Sequence, residues 1–99
     1  MRLFELIKEI ERDPGNFLQS DCIFQLRAFL RGYVFSKNIN QKGFSEEHEV
    51  LTKFDAQLKE RYGVSPEEVV SVEEMLTDFE GENAFQKYLE LWSAHAGGS

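Results

Sequence analysis

Ninety-nine residues are one domain's worth of chain, because domains mostly run from about 50 to 250 residues and a second core has no room here. Hydrophobic residues at 41% and charged residues at 29% are ordinary globular usage, which does not favour a disordered chain. Eighteen acids against 11 bases leave a net charge of −7; that excludes a fold-wide basic field for phosphates, and nucleic acid is not expected as a partner.

Leu3, Phe4, Ile7 and Ile10, with Leu6 beside them, recur at helical spacing and predict an amphipathic helix over residues 2–12. Asp13-Pro14-Gly15-Asn16 stops it, since proline lacks a donor and glycine permits the turn. Ser20 or Asp21 is placed to cap a second helix over 21–37, the most hydrophobic segment. Its stripe is Ile23, Leu26, Leu30 and Tyr33, widened by Cys22, Phe29 and Phe35. Residues 38–43 read as a polar linker that leaves through Gly43.

Ser45, followed by Glu46, Glu47 and Glu49, marks a third helix start, because carboxylates there oppose the positive end of the helix dipole. Val50, Leu51, Phe54, Leu58 and Tyr62 form its stripe, and Gly63 its left-handed exit. Ser65-Pro66-Glu67-Glu68 has the form of a capping box with proline at the first helical position, and predicts a fourth helix from 66 to about 79. Val69, Val70, Val72, Met75, Leu76 and Phe79 are its apolar residues. Glu80-Gly81-Glu82 breaks it, and Asn83 is placed to cap a fifth helix with Ala84, Phe85, Tyr88, Leu89 and Trp92 on its apolar face. The expected fold is therefore all-α: a compact single domain of about five helices around a central one at 21–37. It spans residues 1–96, and Gly97-Gly98-Ser99 reads as a flexible tail of the kind an expression vector leaves.

Residues with catalytic or metal-binding chemistry do not converge. His48 and His95 each stand alone, without the i, i+4 partner of a zinc helix. Cys22 falls on an apolar stripe, where a small core hydrophobe is expected, and a lone cysteine has no intrachain disulfide partner. The glycines are scattered (Gly32, Gly43, Gly63 and Gly81), as packing sites or helix ends and not as a phosphate loop. Counting a calcium loop from Asp78 puts Asn83 and Leu89 where glycine and a bidentate glutamate are needed. Glu67 and Glu68 read as helix surface. The expectation is no enzyme, no metal, no cofactor and no small-molecule ligand.

Charge placement is the distinctive feature. Residues 1–43 hold seven bases and five acids, net +2, whereas residues 44–99 hold four bases and thirteen acids, net −9. Between Glu67 and Glu82 stand seven acids and no base: Glu67, Glu68, Glu73, Glu74, Asp78, Glu80 and Glu82. A solvated helix gains a little from mixed signs and loses a little from like ones; a basic protein partner would explain a one-signed run by steering and neutralisation. At 3.6 residues per turn Glu67, Glu74 and Asp78 would share a face, with Glu68 and Glu73 turned from it. The expected partner-binding residues are Glu74, Asp78, Glu80, Glu82 and Glu67.

Asp13-Pro14-Gly15-Asn16-Phe17-Leu18, followed by Ile23, Leu26 and Phe29-Leu30-Arg31-Gly32-Tyr33, resembles a family of small bacterial proteins. Their early segment reads Arg-Pro-Gly-Met-Tyr-Leu-Gly and precedes a helix ending Phe-Leu-x-Gly-Tyr. They are similar to immunity proteins of polymorphic toxin and contact-dependent growth inhibition systems. Asp13, Asn16 and Gln19 depart from the pattern, and similarity recurs at Phe54, Leu58, Tyr62, Ala84-Phe85, Tyr88 and Leu91. The resemblance implies a non-enzymatic protein that binds a cognate toxin, with a basic-clefted nuclease as the target best matched to the acidic run; the cytoplasm is the expected compartment by default. The alternative is an adaptor or regulatory module that binds another protein through an apolar helix face. No segment approaches the ~20 apolar residues of a membrane span, and the opening residues lack the apolar core of a signal peptide.

Overall fold

A computed structural model describes residues 2–40, 45–65 and 67–97. Five α-helices follow one another: α1 (Leu3–Arg12), α2 (Ile23–Asn40), α3 (Glu46–Arg61), α4 (Val72–Glu80) and α5 (Ala84–Gly97). Single 3-10 turns occupy Pro14–Asn16 and Gly81–Asn83, and no strand forms among the described residues. The expected all-α class holds, in one globule with a Cα radius of gyration of 13.2 Å.

The helices share a single core. Leu3, Leu6, Ile7 and Ile10 bury one side of α1, which packs mainly on α5. From α2 come Ile23, Leu26, Leu30 and Val34, and from α3 Leu51, Phe54 and Leu58. Val72, Met75 and Leu76 of α4 meet Ala84, Phe85, Tyr88, Leu89, Leu91 and Trp92 of α5. Helix α2 packs on α3, α4 and α5, so it is central as its hydrophobicity predicted. It shares that place with α5, which touches α1, α2 and α4 and carries Trp92 stacked on Phe54 at 3.8 Å.

Local signals explain most boundaries. The Ser45 hydroxyl accepts from the His48 amide, the expected cap of α3. At the other end Val64 N–H bonds to the Lys59 carbonyl and Gly63 N–H to that of Glu60, a Schellman closure with Gly63 at φ +72°. Gly81 ends α4 at φ +59°, ψ −127°, a conformation that only glycine adopts readily.

Several expectations need correction. Helix α2 begins at Ile23 and continues to Asn40, through part of the supposed linker, while Gln41, Lys42 and Gly43 lie outside the described residues. Phe35 is exposed, because the helix period turns it away from the buried face that carries Leu26, Leu30 and Val34. Gly32 admits no close neighbour, since a Cβ placed there would meet nothing within 4 Å. Cys22 is half-buried and precedes α2, its carbonyl accepting the Leu26 amide. Asn83 ends a 3-10 turn that runs straight into α5, so it does not occupy a half-out cap position. Gly97 is the last residue of α5, and Gly98 and Ser99 lie outside the described residues.

The largest departure is the start of α4. Two capping boxes compete, Ser65-Pro66-Glu67-Glu68 and Ser71-Val72-Glu73-Glu74. The second one starts the helix: Ser71 Oγ accepts from the Glu74 amide. The Ser65 hydroxyl closes only a local turn with the Glu67 amide, and Val69 is left fully exposed. Pro66 lies outside the described residues. Two β-branched valines at 69 and 70 propagate a helix poorly, whereas a start at Ser71 puts Val72, Met75 and Leu76 in the core. Accordingly, Ser71→Ala should cost about 1 kcal/mol in a urea melt, and Ser65→Ala at most a few tenths.

Candidate functional site

Two carboxylate groupings emerge from the fold, one buried and one exposed. The buried one centres on Arg27, which lies on the apolar stripe of α2 between Leu26 and Leu30 and is only 4% exposed. Its guanidinium makes two parallel bonds to Asp55 of α3, Nη1 to Oδ1 at 2.9 Å and Nη2 to Oδ2 at 2.8 Å. Nε donates to Glu73 Oε1 of α4 at 3.2 Å, and Nη1 also donates to the Tyr88 hydroxyl of α5 at 3.1 Å. Arg31, one turn along α2, takes the other Glu73 oxygen at 2.7 Å. Two guanidiniums thus face two carboxylates, so the cluster is neutral and joins four helices.

Burial sets the protonation behaviour of these groups. Desolvation raises the Asp55 carboxyl above its ordinary value, and the Arg27 bonds only partly offset that. Desolvation also opposes ionised Glu73, but its bonds from Arg31, its own amide and Arg27 together win, and its carboxyl titrates below the usual range. Tyr88 is pushed up to about 12, chiefly by burial. Arg27 is held more firmly protonated: burial opposes its charge, and the Tyr88 and Asp55 interactions overcome that.

Beside this cluster, α2 and α3 splay to leave a cleft of about 340 Å³ bounded by Arg27, Arg31, Phe35, His48, Thr52 and Asp55. Both Asp55 oxygens already accept from Arg27, so this carboxylate is committed to structure and is not poised as a base. Among the described residues no group of three or more histidine, cysteine, aspartate or glutamate side chains could hold a metal. His95 packs as an aromatic residue, stacked on Phe4 at 6.0 Å and edge-on to Phe54.

The exposed grouping contains the residues expected to meet a partner. Glu74 and Asp78 are one turn apart on α4 and both exposed, as is Glu82 in the 3-10 turn. Glu67 is exposed as well, but it lies in the connection before α4, so it does not share a helix face with Glu74 and Asp78. There Lys59 of α3 reaches the Glu68 carbonyl at 3.4 Å, so a base stands near this end of the run. Glu80 is half-buried and accepts from the Tyr62 hydroxyl at 2.8 Å, beneath the Tyr62–Phe79 ring contact. Glu73, expected to be turned from the face of Glu74 and Asp78, is so turned and is a core residue at 4% exposure.

Sequence reasoning missed Arg27, Asp55, Glu73 and Tyr88 as a unit. The available signal was a charge inside an apolar stripe: Arg27 between Leu26 and Leu30, Asp55 after Phe54, Glu73 after Val72. A buried charge must find an opposite one, so such positions predict one another.

The pKa directions give a pH signature. The raised phenols of Tyr88 and of Tyr62, the latter raised by burial and Glu80 to about 12, favour the neutral form in the folded state. Their stabilisation is complete below pH about 10 and is lost as pH rises toward about 12; absorbance titration should show two late-ionising tyrosines, one of which disappears in Tyr88→Phe. On the acid side Glu73 contributes stability that is lost as pH falls, and Asp55 contributes in the opposite sense. Melts across pH 3–6 (a window of about three units) should therefore show a flatter acid limb for Glu73→Gln and a steeper one for Asp55→Asn.

Comparison with protein-family models, with curated proteins and with solved structures yields no match to this chain.

Proposed function

We propose that this protein is a non-enzymatic inhibitor of the immunity-protein type, which binds a basic surface of a cognate bacterial toxin domain and blocks its active site. The observation that supports this reading is the exposed row of carboxylates on α4 and the turn after it. Of the seven acids between Glu67 and Glu82, five are exposed and no base interrupts them in sequence. Glu74, Asp78 and Glu82 are the residues we assign to the contact, with Glu67 at its edge. Glu80 serves through Tyr62, which fixes the end of α4.

Complementary fields raise association rates by about one to three orders of magnitude and make them salt-sensitive. A nuclease cleft suits this chemistry, because groups that hold phosphates also hold a row of carboxylates. Affinity then rests on the few pairs that lose their water, where truncation costs about 2–5 kcal/mol. Cytoplasmic residence belongs to the same proposal; among the described residues no helix is long and apolar enough to cross a membrane.

The test begins with the product of the gene beside this one, expected to be a large secreted protein with a toxic C-terminal domain. Co-purification and inhibition of that domain are the expected results. Reversing Glu74, Asp78 and Glu82 to lysine should lower the on-rate at least tenfold and flatten its salt dependence. An unchanged on-rate and salt slope would place the contact elsewhere. An adaptor, by contrast, would bind a partner with no toxic activity.

A further inference from the structure

Helices α3 and α5 are joined by aromatic rings. Phe54 stacks on Trp92 at 3.8 Å and stands edge-on to Tyr88 at 5.7 Å. Beside this stack the two helices leave a cleft of about 240 Å³, which shares no residue with the one beside Arg27. Phe54, Leu58, Leu91 and Ala94 make its apolar wall, and Gln57, Arg61 and His95 its polar one. The three polar side chains come from two helices, so only the fold brings them together. No carboxylate lines the space.

The polar groups of the cleft have hydrogen-bond donors to spare. Among the described residues Arg61 forms no ion pair, and a guanidinium offers its N–H groups in a planar fork. The His95 ring is held by three others: it stacks on Phe4 at 6.0 Å and stands edge-on to Phe54 at 5.4 Å and Trp92 at 6.1 Å. Those contacts fix the ring plane without engaging a ring nitrogen. Gln57 adds an amide. Charge points the same way. The other charged side chains one helical turn from the lining are Lys53, Lys87, Glu60 and Glu90, which cancel, and Asp55, which pairs with Arg27. Arg61 is left as an uncompensated positive charge in a segment of net −9.

The ligand that fits carries a single negative charge and a short apolar body. A carboxylate meets a guanidinium fork in two parallel bonds, whereas a phosphate dianion would leave a charge unmet. At ~30 Å³ for each water-sized group, the cleft holds about eight heavy atoms, the size of an acid of about six carbons. We propose that the α3–α5 cleft binds a small organic monocarboxylate, with its charge on Arg61 and His95 and its chain against Phe54, Leu58 and Leu91. This holds whether or not the protein inhibits a toxin. So small a ligand in an open cleft is expected to bind with a Kd of about 0.1–1 mM.

Hexanoate is the probe, and Trp92, the only tryptophan in the chain, reports through its stack on Phe54. Hexanoate is titrated to about 20 mM at fixed ionic strength and followed by tryptophan fluorescence and, in parallel, by calorimetry. The expected result is saturation at one site per chain, with hexanol (the tail without the charge) and acetate (the charge without the tail) each at least tenfold weaker. Arg61→Gln and, separately, Ala94→Phe should each raise the Kd at least fivefold with an unchanged helical spectrum, because both side chains are exposed. Lys8→Gln, which removes the same charge at an exposed position outside the cleft, should leave the Kd unchanged. No saturation by either method, hexanol or acetate binding as well as hexanoate, or a Kd indifferent to Arg61→Gln and Ala94→Phe would overturn the proposal.

Discussion

Arg27 brings a full positive charge into the core of a protein with one domain's worth of apolar packing, and the arrangement of the helices follows from satisfying it. A guanidinium offers five donors in a planar fork, and here four hydrogen bonds leave it toward three other helices. Asp55 on α3, Glu73 on α4 and Tyr88 on α5 each need Arg27 as much as it needs them. Isolated, any of these carboxylates would be a desolvated charge, which costs far more than a lost apolar contact. Apolar burial is non-directional and would tolerate several helix rotations; the bidentate Arg27–Asp55 pair tolerates few.

That constraint reaches the surface through α4. With Glu73 turned in to meet Arg27 and Arg31, the helix period turns Glu74 and Asp78 toward solvent. Ser71 caps the start of this helix, and Gly81 ends it one turn after Thr77. The acidic run is therefore two things at once. One carboxylate holds the fold and another bonds Tyr62, while the rest form the outward row on which the proposed inhibitor function rests.

Sequence pattern was most informative where a local rule acts alone. Helix α1, the Ser45 cap, the Gly63 exit and the stripe of Leu51, Phe54 and Leu58 follow from spacing and capping chemistry, and each stands as expected. Where two local signals competed, the spacing alone could not choose: Ser65 and Ser71 both fit a capping box, and Ser71 caps the helix that buries Val72, Met75 and Leu76. Helix α2 is apolar on nearly every side, so its period could not tell the buried Leu30 and Val34 from the exposed Phe35. The Arg27 cluster was out of reach for another reason. Its members lie 28, 46 and 61 residues from Arg27, and only the fold brings them together.

The central claim is that Arg27 and its partners act as one unit holding the helices in register. A double-mutant cycle on Arg27→Met and Asp55→Leu, followed by urea unfolding, measures it directly. If the pair is coupled, each single substitution strands a buried charge and costs about 3–5 kcal/mol. The double variant should then be more stable than the sum of the two losses predicts, by about 1–3 kcal/mol. Losses that add to within about 0.5 kcal/mol would contradict the account, and would mean that apolar packing alone sets the positions of α2 and α3.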